Sequence, residues 1–159
     1  MTIDPAKLKT QVPLSDIYQE VILDHNKNPR NFTAMADSNR HTHGYNPLCG
    51  DDYHLYLKVN PDGTIEKAAF HGTGCAISKA SASMLTTSVK GKKVAEAEEL
   101  KDKFLKLVTC GEYADTKELG SLRAFQGVRM FPVRVKCATM IWHALEEALK
   151  TQGDANGKR

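Results

Sequence analysis

The clearest hydrophobic pattern in the chain is the strict alternation over 53–59, "YHLYLKV", which puts Tyr53, Leu55, Leu57 and Val59 on one face of a half-buried strand. "NPDG" (60–63) follows, with proline and glycine at the positions a tight turn uses. "TIEKAAFHG" (64–72) then returns as the partner strand, and "RHTHGY" (40–45) reads as a further short strand. Helical spacing takes over elsewhere. "LSDIYQEVILDHNKNP" (14–29) carries Ile17, Val21 and Ile22 on one face, with Ser15 as a cap and Asn28-Pro29 as the stop. From Ala76, "AISKASASMLTTSV" reads as a helix whose alanines and serines invite close approach by another backbone. "KVAEAEELKDKFLKLV" (93–108) is an amphipathic, charged helix, and "FPVRVKCATMIWHALEEALK" (131–150) is a helix with Pro132 in its first turn. Residues 109–130 read as irregular, with short helical turns. Strands first and helices after predict an α+β fold: a small antiparallel sheet of about three strands against several helices. One domain over 1–159 is expected, with flexible ends at 1–13 and 151–159.

Composition narrows the function. At 159 residues, 41% hydrophobic and 26% charged, the chain can build a core without staples. Its 22 basic and 19 acidic residues leave a net charge of +3, with no basic run, so no nucleic-acid partner is expected. "MTIDPAKLKTQVPLSD" has no apolar stretch of a secretory signal, and nothing is apolar for long enough to span a membrane. A cytoplasmic, reducing setting is therefore expected. Cys49, Cys75, Cys110 and Cys137 then read as ligands, nucleophiles or small core residues rather than disulfides. No C-x-x-C pair occurs among them.

The hairpin brings two of these cysteines together. With the turn centred at 61–62, antiparallel partners sum to about 123, and Cys49 and Cys75 nearly satisfy that register. Both belong at the open end of the hairpin, with Asp51 beside them. Cys137 is a third candidate, because the first turns of its helix favour a thiolate and Arg134 and Lys136 add positive charge. It fits equally a core stripe of Val133, Cys137, Ile141 and Leu145, and spacing alone does not choose. Three thiolates and a carboxylate would suit Zn²⁺.

Three of these segments, "NPLCGD", "GTGCAISKASASM" and "FPVRVKCATMIWHALEEAL", resemble the IscU/NifU-N superfamily of iron–sulfur cluster assembly proteins. "YQEVILDHNKNPRN" is similar to the SufU type within it, and the resemblance runs from about residue 14 to 150. Scaffold-type members resemble "LPPVK" with a histidine directly before the third cysteine. Here Lys136 takes that place after "FPVRV", and the stretch around 109–130 matches a SufU-type insertion. The resemblance implies a SufE/NifU-like fold and zinc held by Cys49, Asp51, Cys75 and Cys137. It implies further that Cys49 accepts sulfur as a persulfide, with Arg134 a supporting basic residue. The implied partners are a PLP-dependent cysteine desulfurase of the SufS type and downstream iron–sulfur assembly proteins. An iron–sulfur cluster built on the same ligands is the alternative occupant, and a structural zinc domain without chemistry is a third reading.

Other residues carry weaker signals. Cys110 matches no family cysteine and reads as a bystander. His41 and His43 share a strand face and imitate a metal pair, but the family uses no histidine, so they read as surface residues. His143 points away from Cys137, at about 240° round the helix. "GTG" (72–74) reads as backbone bending around the site rather than a dinucleotide loop. Strand alternation aims Asp52 at the face opposite Asp51. Cys49, between a turn and the hairpin, is expected to be the mobile thiol, with Gly50 its hinge and Asp51 its tether.

Overall fold

A computed structural model describes residues 14–110 and 117–150 of the chain. The ends expected to be flexible, and the Ser15 cap, lie outside the described residues and side chains. Helix α1 (Leu14–Lys27) leads into a three-stranded antiparallel meander in the order β1 (Arg40–Asn46), β2 (Asp51–Val59), β3 (Ile65–Thr73). Helices α2 (Ala76–Val89) and α3 (Val94–Cys110), a 3-10 segment (Lys117–Met130) and helix α4 (Pro132–Lys150) follow. The sheet and helices are those the periodicity predicts, within a residue or two at each end.

Alternation does the sorting on β2. Tyr53, Leu55, Leu57 and Val59 are buried, while Asp52, His54, Tyr56 and Lys58 lie towards the outer face. The buried face is covered by α2 and α4. Helix α4 is anchored from inside by Trp142, which stacks on Phe104 at 4.5 Å between ring centroids. It is clamped to β1 from outside: Arg40 Nη1 donates to Ala148 O at 2.7 Å, and Thr42 Oγ1 to Ala144 O at 2.9 Å. Free carbonyls in the last turn of a helix accept such bonds well, and a cation there also meets the negative end of the dipole.

The small residues of α2 have the expected use. Ser81 Oγ donates to Ala138 O on α4 at 2.6 Å and accepts from Trp142 Nε1 at 3.0 Å. On its other side Ser83 Oγ meets His25 of α1 and accepts from Arg30 N, each at 2.8 Å. Helix α2 is therefore held between α1 and α4, and Cys75 at its start is held with it.

Two expectations need correction. The hairpin register is shifted: Leu57 pairs with Ala68, and Tyr53 with Gly72, because the pairing is irregular between Lys58 and Val59 and the loop closes through Asn60 and Thr64. Cys49 precedes β2 in a turn at the open end, as expected. Val133 is 51% exposed, so it takes no part in the stripe that Cys137, Ile141 and Leu145 form in the core. The stretch expected to be irregular contains the 3-10 segment, broken at Gly120, where φ is +54°.

Candidate metal and sulfur site

At the open end of the meander, the β1–β2 turn, the start of α2 and the start of α4 meet. Cys49, Asp51 and Cys137 converge there, with one ligand atom from each lying within 4.8 Å of the others. Cys49 Sγ and Cys137 Sγ are 2.8 Å apart, and both are free thiols. Cys137 is 2% exposed, whereas Cys49 is half-buried. Burial pushes the Cys137 thiol well above its usual range, its contacts with Cys49 and Cys75 push the same way, and the charges of Cys75 and Asp51 add to the effect.

Asp51 is fully buried and held by three donors. Cys75 N and Ser78 Oγ both reach Oδ1 at 2.9 Å, and Asn46 Nδ2 reaches Oδ2 at 3.3 Å. It has no ion pair among the described residues. A buried carboxylate is costly unless it is paired and hydrogen-bonded, which makes Asp51 a candidate cation ligand.

Cys75 borders this group. Its backbone N–H binds Asp51, while its Sγ accepts from Ser78 N at 3.5 Å and caps α2. The three thiols and the carboxylate fit Zn²⁺ by donor type: soft sulfur with one borderline oxygen, gathered where negative charge lacks a counter-ion.

Glycine makes the close packing possible. A Cβ on Gly74 would lie 2.6 Å from Ser78 Oγ and 2.7 Å from Asp51 Oδ1, so any side chain there displaces the carboxylate. Beneath them the buried Tyr53 hydroxyl has no hydrogen-bond partner among the described residues. Burial raises its pKa to about 12; Ser78 partly offsets this, and the charges of Asp51 and Cys75 add to it.

Two residues of the site escape sequence reasoning. Asn46 binds Asp51 and reaches Cys137 Sγ at 3.7 Å, while its Oδ1 and carbonyl oxygen accept from Leu48 N and Cys49 N, each at 3.3 Å. It ties the Cys49 turn to both partners. Ser78 is the other. The available signals were an asparagine opening a Pro-containing turn, and a serine three residues after a cysteine cap.

Other candidates lie elsewhere. Arg134 is exposed and its guanidinium sits over the Phe131 ring at 4.6 Å, its described contact. Cys110 is exposed at the end of α3. Asp52 turns away from Asp51 and bonds His43 Nε2 at 2.5 Å on the outer face. His41 has its pKa lowered by burial first, then by His54 and His43.

An antiparallel meander whose open end gathers thiols and a buried carboxylate at two helix starts makes a thiol-rich candidate for a metal or sulfur centre on a small α+β scaffold. The chain belongs to the family of the NifU-like N-terminal domain, which it matches over residues 17–138. It is 43% identical over 143 residues to the zinc-dependent sulfurtransferase SufU of Bacillus subtilis, covering 90% of this chain and 96% of that protein. It is 42% identical over 142 residues to the iron–sulfur cluster assembly scaffold protein IscU of Streptococcus pyogenes serotype M1, covering 89% and 88%. A crystal structure from Fervidobacterium islandicum AW-1, described as an iron–sulfur cluster assembly scaffold for the SUF system, superposes with a TM-score of 0.78. It shares 33% identity and covers 87% of this chain and 100% of that one.

Proposed function

We propose that this chain is a zinc-dependent sulfur-transfer protein of iron–sulfur cluster assembly, with Cys49 as the sulfur acceptor. Cys49, Asp51, Cys75 and Cys137 would hold the zinc, which when bound stabilises thiolates at neutral pH. The sulfur donor is the persulfide of a PLP-dependent cysteine desulfurase. The Cys49 thiolate attacks the outer sulfur, a new S–S bond forms, the old one breaks, and the desulfurase cysteine leaves as a thiolate. Cys49 then carries the persulfide to downstream assembly proteins.

One observation carries the reading: the three thiols are unequally placed. Cys137 is buried in α4, Cys75 is committed to capping α2, and Cys49 sits half-buried in a turn. Gly50, at φ +69°, follows it, a backbone conformation in which glycine moves without strain. Cys75 is half-buried too, but its Sγ is engaged at the start of α2, which leaves Cys49 as the thiol free to turn towards a partner. Leu48, beside Cys49 in the chain, is 63% exposed, and Met130 at 67%, Phe131 and Val133 are exposed around the start of α4, apolar side chains suited to docking. Arg134, outside the cluster and exposed over Phe131, would offer positive charge to a persulfide approaching past that residue. The free thiols agree with a reducing, cytoplasmic setting, and among the described residues no helix is long and apolar enough to cross a membrane.

A [2Fe–2S] scaffold on the same ligands is the second reading, favoured by the likeness to the streptococcal IscU. The two separate on purification and turnover. The transfer reading expects colourless protein that keeps one zinc per chain through exchange into metal-free buffer and accelerates the desulfurase. Brown protein with iron and sulfide, and no acceleration, would establish the scaffold.

The two neighbouring carboxylates give a sharper check. Asp51→Ala is expected to loosen the zinc and change sulfur transfer several-fold, because it removes a buried ligand and its three donors lose their acceptor. Asp52→Ala is expected to leave desulfurase stimulation within about twofold, as an exposed side chain on the other face. The reverse ranking would overturn the assignment.

A further inference from the structure

We propose that the outer face of the sheet carries a second metal site, built from His43, Asp52 and His54 and oriented by His41, for a borderline divalent transition ion such as Zn²⁺ or Ni²⁺. The site is independent of the sulfur-transfer reading, uses none of its side chains, and faces solvent.

The strand register creates it. His43 on β1 lies directly opposite His54 on β2, and Asp52 precedes His54 by two residues on the same face. A cross-strand pair and an i, i+2 neighbour form a compact triangle on a pleated surface. One ligand atom from each of the three lies within 4.8 Å of the others. The rings of His43 and His54 stack at 4.6 Å between centroids, 16° from parallel. All three donors stand on paired strands, not on a loop, so their spacing is set by the ladder.

Outer contacts fix the donors further. His41 and His54 meet through Nε2 and Nδ1 at 2.8 Å, and His41 stacks on Tyr56 at 4.7 Å, 8° from parallel. An imidazole that binds metal through one nitrogen typically has its other nitrogen held by such a partner, which sets ring orientation. A simple surface ion pair between His43 and Asp52 would need neither His54 nor His41. Two imidazoles and one carboxylate without sulfur select borderline ions over soft ones. Three protein ligands also leave open coordination positions, here on the solvent side, for water or an external donor.

Because Asp51 and Asp52 are adjacent and point to opposite faces, the two sites stand back to back across one strand. They differ in chemistry, since the inner site is thiolate-rich and closed whereas the outer one is exposed and exchangeable. The outer ion should be lost on exchange into metal-free buffer while the inner one stays.

Calorimetric titration of the zinc-loaded full chain with Ni²⁺ tests the proposal. One further equivalent is expected, and the paramagnetic ion should broaden amide signals around His43 and His54. His43→Gln/His54→Gln, which keeps side-chain hydrogen bonding at one exposed and one half-buried position, should weaken that equivalent at least tenfold, roughly the scale of losing even an outer partner. His71→Ala, opposite His54 on β3 but outside the triangle, should leave it unchanged, as should Cys49→Ala. Absence of a Ni²⁺ equivalent beyond the zinc would overturn the site. So would binding undiminished in the double variant, a loss in His71→Ala as large as in the double variant, or broadening centred on Cys49 and Cys137.

Discussion

Cys137→Ala is expected to purify without tightly bound zinc and to unfold about 10–20 °C below the parent chain, as followed by circular dichroism with metal analysis. The size of the effect follows from coupling. A structural site forms with the fold, so its binding free energy appears as folding free energy. A loss of about 5 kcal/mol in a chain of this length lowers the midpoint by that amount. Removing a small buried side chain alone costs far less, because Cys137 adds little apolar volume beside Trp142 and Ile141. Chelation of the parent chain should reproduce the shift, and Cys110→Ala should show none. A Cys137→Ala protein that keeps zinc and loses only a degree or two would reduce Cys137 to a core residue and remove it from the ligand set.

How much of this was legible depends on what alternation encodes. Period-2 spacing over 53–59 assigns faces, so the opposite orientations of Asp51 and Asp52 followed from it. Alternation does not encode pairing. The Leu57–Ala68 register depends on a local irregularity at Lys58/Val59 that no residue pattern announces. The outer triangle of His43, Asp52 and His54 was invisible for the same reason: His41 and His43 were recognisable as a pair, but His54 meets them only through the β1–β2 register. Asn46 was hidden because its role is to bridge, and a bridging amide has no spacing of its own.

The stripe through α4 was only partly legible. Helical periodicity admits Val133 to the face of Cys137, yet Val133 lies before the helix has reached the core, and it remains exposed. Burial there is decided by where α2 and the sheet end. The same geometry puts Cys137 at the boundary between core and site, which is why both readings of it held something. Its side chain is packed like a core residue and also faces Cys49.

Cys49→Ala is expected to abolish stimulation of the desulfurase, returning turnover to the rate without this protein, even in preparations that retain zinc. Cys49 contributes a thiol from a turn held by Asn46, while Asp51, Cys75 and Cys137 belong to a buried strand start and two helices. Loss of Cys49 therefore removes the reactive arm and leaves the framework of the metal site standing. The unfolding midpoint should fall much less than in Cys137→Ala, so the two variants separate chemistry from stability. After incubation of the parent chain with desulfurase and cysteine, mass spectrometry should find an added sulfur on the peptide containing Cys49. Gly50→Val, which places a β-branched residue at φ +69°, should slow that transfer while leaving the zinc content unchanged. Sulfur found on Cys75 or Cys137 instead, with Cys49→Ala still stimulating, would overturn the acceptor assignment and favour the scaffold.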